Sequence, residues 1–108
     1  MLEQSVLKSV RDYQIAVNKA GISVEFIVVF GSQVKGGGHE WSDIDLLVVS
    51  PQFDDIKTRK KLNLLWHIAA SVDIRIEPIP CGLVQWDNDD MSAIIEIARR
   101  EGEILRAA

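Results

Sequence analysis

Leu2, Val6, Val10, Tyr13 and Val17 recur every three or four residues, which lines one side of a helix and predicts an amphipathic helix over residues 2 to 19, ended by Gly21. The run VEFIVVF (24 to 30) is short, β-branched and aromatic, and is closed by Gly31, so it reads as a buried strand. DIDLLVVS (43 to 50) has the same character and stops at Pro51. Between the two strands lie residues 31 to 42, enough for one helical turn starting at Ser32 and a glycine-rich loop. Ile56, Leu62, Leu65, Ile68 and Ala69 mark a second long helix from about 54 to 70. VDIRIEP (72 to 78) alternates apolar and polar residues with period two, the mark of a strand with one apolar face, and Pro78 and Pro80 are expected to end it. Asp87 to Asp90 offer capping carboxylates for a last helix whose buried side is Met91, Ile94, Ile95 and Ala98.

The order helix, strand, turn, strand, helix, strand, helix predicts an α/β (α+β) fold, a small mixed sheet of about three strands flanked by helices. With 108 residues, 47% of them hydrophobic, the chain is expected to form one domain over residues 1 to 108 with a modest core. The net charge of −4 lacks the basic excess with which a protein grips a nucleic acid backbone unaided, so nucleic acid is not the favoured partner. Cys81 is the single cysteine, which leaves no internal disulfide or cysteine-based zinc site and fits a reducing compartment. Apolar runs fall well short of the roughly 20 residues that span a bilayer, so the expected location is cytoplasmic.

Two aspartates inside an apolar strand require a reason. Asp43 and Asp45, one residue apart, project to the same face with Cα atoms about 6.6 Å apart, while Ile44 points the other way. Such carboxylates repel each other, and a divalent cation between them reverses that logic. Magnesium suits the pair, because it takes a few carboxylate oxygens and completes its shell with water and substrate phosphates. A third acid is expected on the last strand, where Asp73, Arg75 and Glu77 would share one face. Asp73 converges with the pair if the two strands are neighbours. Three carboxylates can hold two metals about 3.5 to 4 Å apart, the arrangement of phosphoryl and nucleotidyl transfer sites. Gly31 lets backbone approach a ligand, the N–H groups of Ser32 and Gln33 can face phosphate oxygens, and Lys35 can add a cation. The Walker A pattern is absent, and an EF-hand fails because Val48 stands where its loop needs glycine.

Gly31-Ser32, ten residues, then Asp43-Ile44-Asp45-Leu46 resembles the signature of the DNA polymerase beta-like nucleotidyltransferase superfamily, in its minimal branch. VDIRIEP is similar to the strand that carries that superfamily's third catalytic aspartate. The resemblance covers residues 24 to 78 closely and the flanking helices by order alone. It implies two Mg2+ ions and transfer of a nucleoside monophosphate, AMP above all, from ATP or another nucleoside triphosphate to a hydroxyl with loss of pyrophosphate. By position, Ser32 would contact the triphosphate, Asp43 and Asp45 would bind both metals, and Asp73 would bind the catalytic metal and help deprotonate the acceptor. Glu77 is the rival for that third place. Lys35 stands where many minimal members have arginine, which keeps the charge and loses the planar fork. The resemblance also implies an acceptor presented by a partner protein, such as a HEPN-like helical toxin for which the nucleotidyltransferase is the antitoxin, or across a homo-oligomer. The alternatives are a non-catalytic module that neutralises a partner and a phosphohydrolase using the same metals with water.

The remaining candidates have plainer readings. His39 in the loop and His67 on the second long helix read as solvated or half-buried, Trp41 as packed against the loop, Trp66 as core or interface, and the basic run 57 to 61 as a wetted helix face.

Overall fold

The computed structural model describes residues 2–35, 41–55, 59–89 and 92–106. Their elements are α1 (Gln4–Lys19), β1 (Phe26–Phe30), α2 (Ser32–Lys35), β2 (Ile44–Val49), α3 (Gln52–Asp55), α4 (Arg59–Val72), β3 (Ile76–Cys81), α5 (Leu83–Asn88), α6 (Ala93–Glu101) and β4 (Glu103–Arg106). The strands form one mixed sheet in the order β3-β2-β1-β4, with β1 antiparallel to β2 and to β4, and β2 parallel to β3. The fold is thus the expected α/β sheet flanked by helices, with four strands rather than about three.

The two central strands explain the unbroken apolar runs, since each is covered on both faces. One face carries Ile27, Val29, Ile44, Leu46, Val48 and Ile76 and packs beneath α1 and α4 through Val6, Val10, Tyr13, Val17, Leu65 and Ala69. The other carries Phe26, Val28, Phe30, Leu47, Val49 and Cys81 beneath Trp86, Ile95 and Ala98 of α5 and α6. Tyr13 is fully buried, and its hydroxyl donates to the Leu65 carbonyl at 3.0 Å, joining α1 to α4 without an orphaned polar group.

Four expectations are corrected. The single helix over 54 to 70 is α3 followed by α4, with residues 56 to 58 outside the described set. The last strand is not 72 to 78: α4 runs on to Val72 and β3 starts at Ile76, so Pro78 and Pro80 lie inside the strand instead of ending it. They are tolerated because β3 is an edge strand. Arg75 O accepts from Ile44 N and Cys81 O from Ser50 N, so odd-numbered residues turn their backbone groups toward β2 and the prolines turn theirs away. In α6, Ile95 and Ala98 are buried as expected but Ile94 is 44% exposed, and Met91 lies outside the described residues. Trp66, read as core or interface, is 50% exposed.

Two elements, α5 and β4, are additional to the expected order. The α5 backbone is capped from far away in sequence, with Asp54 accepting from Val84 N at 3.0 Å and Gln85 N at 3.2 Å. β4 is only four residues long and is joined to α6 by Gly102. No described helix is long and apolar enough to cross a membrane.

Gly102 lies so close to its surroundings that a Cβ there would stand 2.4 Å from Ala98 O and 2.5 Å from Val28 Cγ1. Gly102→Ala is therefore expected to lower stability by about 1–3 kcal/mol in urea unfolding, as for other overpacked sites, with the loss arising from separation of α6 and β4 from β1.

Candidate active site

The site is set by strand register. Asp45 stands opposite Phe30 of β1 on one side and Glu77 of β3 on the other. Residues in register share a face, so both acids lie on the sheet surface that carries Leu47, Val49 and Cys81 further along the strands. Asp43 precedes β2 by one residue, has the same parity as Asp45 and is exposed. Glu77 is half-buried and close enough to Asp45 and Asp43 to be influenced by the charge of both. Its pKa is raised, first by burial, then by its contact with the Asp45 side chain and by the negative charge of Asp43 and Asp45.

Gly31 closes the site from the β1 side. Its φ is 81°, a left-handed conformation that glycine adopts without strain, and an added Cβ would lie 2.6 Å from Asp45 Oδ2. The chain then turns directly into α2, where Gly31 O accepts from Val34 N at 3.1 Å. Ser32 is exposed at this turn. Gln33 Nε2 donates to Ser42 O at 2.9 Å and so ties α2 to the segment leading into Asp43. Lys35 pairs with Glu101 at the end of α6 at 3.1 Å, a contact with no counterpart in the sequence reading. Trp41, expected to pack against the loop, is 75% exposed. His39 and Gly36 to Gly38 lie outside the described residues, as do residues 57 and 58 of the basic run; Arg59, Lys60 and His67 are exposed on α4.

Asp73 is not brought to the aspartate pair. It sits in the turn before β3, where its carboxylate accepts from Ser9 Oγ of α1 at 2.7 Å, from Arg75 Nη2 at 2.8 Å and from Arg75 N at 2.9 Å. These bonds direct it toward α1, the helix on the opposite face of the sheet from Asp45 and Glu77. The Arg75 guanidinium hydrogen bond, with Ser9 and the Arg75 backbone, holds its pKa well below the usual carboxylate range against the upward push of burial. The expected shared face of Asp73, Arg75 and Glu77 fails because only Glu77 belongs to the strand. A sequence signal for Glu77 does exist: β2 and β3 both open with Ile followed by an acid, Ile44-Asp45 and Ile76-Glu77, and these pairs are aligned in the ladder.

The donor set is entirely carboxylate oxygen, and its mutual repulsion is the condition that a hard divalent cation relieves. Among the described residues no three His, Cys, Asp or Glu side chains already surround one metal position. An open set at a sheet rim suits magnesium, which retains several waters and takes substrate phosphate oxygens.

A family model for the nucleotidyltransferase domain matches residues 10–99. The chain belongs to that family. A Sulfolobus solfataricus crystal structure assigned as a nucleotidyltransferase superposes with a TM-score of 0.68 at 16% identity, covering 93% of this chain and 78% of the other. A crystal structure of a toxin-antitoxin with AMP-PNP superposes with a TM-score of 0.61 at 20% identity, covering 91% of this chain and 73% of that one. At these identities the superpositions establish the shared fold. No curated protein matches the chain by sequence. As a member of the nucleotidyltransferase domain family the protein is a transferase, and Gly31, Ser32, Asp43, Asp45 and Glu77 occupy one end of its sheet.

Glu77 binds a proton more readily in the folded chain than in the unfolded one, so its contribution to stability falls as pH rises from about 4.5, its ordinary value, through its raised one. Glu77→Gln removes this penalty. In metal-free buffer at neutral pH its melting temperature is expected to exceed that of the wild type by a few degrees, with the difference vanishing below pH 4; calorimetric scans across that range provide the check.

Proposed function

We propose that this nucleotidyltransferase transfers AMP from ATP to a hydroxyl on a separate protein, and that Asp43, Asp45 and Glu77 form the acidic set that holds Mg2+. The observation that carries the reading is the alignment of Asp45 with Glu77 on adjacent strands, with Asp43 beside them and Gly31 packed against the Asp45 carboxylate. In this reading Glu77, not Asp73, is the third acid. The superposition on a toxin-antitoxin structure that contains AMP-PNP, an ATP analogue, supports an adenine nucleotide as substrate and a toxin-like protein as acceptor. The role is then that of an antitoxin which modifies its partner.

The chain's own groups divide the work. Gly31, having no side chain, lets the triphosphate approach the β1–α2 turn, where Ser32 contacts it. Lys35 supplies a cation once a phosphate competes with Glu101. Two bound Mg2+ ions would supply positive charge to the phosphate oxygens and the attacking oxygen, as in other two-metal sites. The acceptor oxygen forms a bond to the α-phosphorus, the bond from that phosphorus to the bridging oxygen breaks, and pyrophosphate leaves with that oxygen. The hydroxyl proton passes to a carboxylate of the set and on to water.

Incubation with Mg2+, a lysate of the native host and ATP labelled at the α-phosphate tests the reading. One protein band is expected to acquire label, and Asp43→Ala, Asp45→Ala or Glu77→Gln each to reduce the rate at least about 100-fold, whereas label from the γ-phosphate stays with pyrophosphate. Pyrophosphate released with no labelled acceptor would point instead to hydrolysis. Equal ATP binding by wild type and the Asp43→Ala, Asp45→Ala double variant in isothermal titration would point to a scaffold.

A further inference from the structure

Taking Asp43, Asp45 and Glu77 as the metal-holding acids proposed above, we infer that Asp73 is a positioning residue which, clamped by Ser9 and Arg75, fixes where Glu77 stands against Asp45. A short chain of bonds carries the constraint. Ser9 Oγ of α1 donates to Asp73 Oδ2 at 2.7 Å. Asp73 accepts from Arg75 Nη2 at 2.8 Å, from Arg75 Nε at 3.1 Å and from Arg75 N at 2.9 Å, while its own carbonyl accepts from Ile76 N at 3.0 Å. The α4–β3 turn is thereby bonded on both sides of Arg75. The Arg75 carbonyl in turn accepts from Ile44 N at 2.8 Å, and Ile44 is the residue between Asp43 and Asp45.

This first rung decides the register of β3. The strand is at the sheet edge and has β2 as its only strand neighbour among the described residues. A slip of one residue would turn Glu77 to the α1 face and place Ile76 or Pro78 beside Asp45. The clamp is sheltered enough to resist such a slip: the Asp73 and Arg75 side chains are only 14% and 15% exposed, unlike the other ion pairs described. Ser9 lies on α1, on the opposite face of the sheet from the acids, so metal affinity is governed partly from that helix.

The test uses the full chain, with Mn2+ as probe, at a temperature well below the melting point. Asp73→Asn and Ser9→Ala are expected to weaken Mn2+ binding, measured by electron paramagnetic resonance of the free ion, by about 10-fold. In metal-free protein the Ile44 amide should exchange hydrogen about 10-fold faster or more, while the Val28 amide of β1 is unchanged, and Ser9→Thr, which keeps the hydroxyl, should restore both properties. Mn2+ binding within twofold of wild type, with Ile44 exchange rising only in step with Val28, would reduce the clamp to a general stabiliser and overturn the inference. Should Asp73→Asn fail to fold, Ser9→Ala decides alone. Asp45→Asn separates the two proposals: if it abolishes Mn2+ binding while the clamp variants bind normally, only the positioning role falls. If the wild type binds no better than Asp45→Asn, the acid set itself falls and takes the positioning role with it.

Discussion

Parallel pairing of β2 with β3, strands about 4.8 Å apart, forces Asp45 and Glu77 to stand side by side, and the rest of the fold holds them there. The magnitudes explain why this is tolerated. Repulsion between two charges at a wetted rim costs on the order of 1 kcal/mol, rising to about 4 kcal/mol where water is partly excluded. Further along the same strands Leu47, Val49 and Cys81 are completely buried, and full burial of a Val or Leu side chain stabilises by about 1.5–3 kcal/mol each. Burial of the apolar residues therefore outweighs the repulsion, and the acids are held side by side despite it. Their clash is confined to the strand ends, where water and ligand can reach them.

The two faces of the sheet have separate tasks. Beneath α1 and α4 lies the larger apolar cluster, fastened by the Tyr13–Leu65 bond and by the Ser9, Asp73 and Arg75 group at its edge. On the face of α5 and α6, the inner residues pack while the outer ones remain available to chemistry. Two side chains near the acids are restrained by groups outside the acidic set, Gln33 by Ser42 and Lys35 by Glu101, while the space beside Asp45 admits only a glycine at position 31. Membership of the nucleotidyltransferase family gives this division its meaning, since phosphoryl transfer relies mainly on the placement of charge.

Much of this was legible in the chain because it depends on local pattern. The period of α1, the continuous apolar runs of β1 and β2, and the Gly-Ser and Asp-x-Asp spacing are properties of neighbouring residues. The last strand is hard to place from sequence because two opposing cues fall together. Alternation in VDIRIEP favours a strand from Val72, yet Ala69 to Val72 still completes α4, with Ala69 buried against the core. Prolines normally argue against a strand, and here the edge position removes the objection. Once the strand moves to Ile76, Asp73 leaves the acidic set and Glu77 enters it. α5 is harder to read for a different reason: Gln85 caps Gly82 N locally, but the carboxylate that caps Val84 and Gln85, Asp54, belongs to a segment 30 residues away. No window of sequence contains both partners.

Pro78 and Pro80 have a wider effect than their tolerance in β3 suggests. An unpaired strand margin ordinarily offers a row of donors that another chain can zip onto. Here two of those donors are missing, at Pro78 and Pro80, so an additional ladder on that flank is disfavoured. The β3 edge is thus blunted by imino acids beside the carboxylates, which disfavours strand addition there.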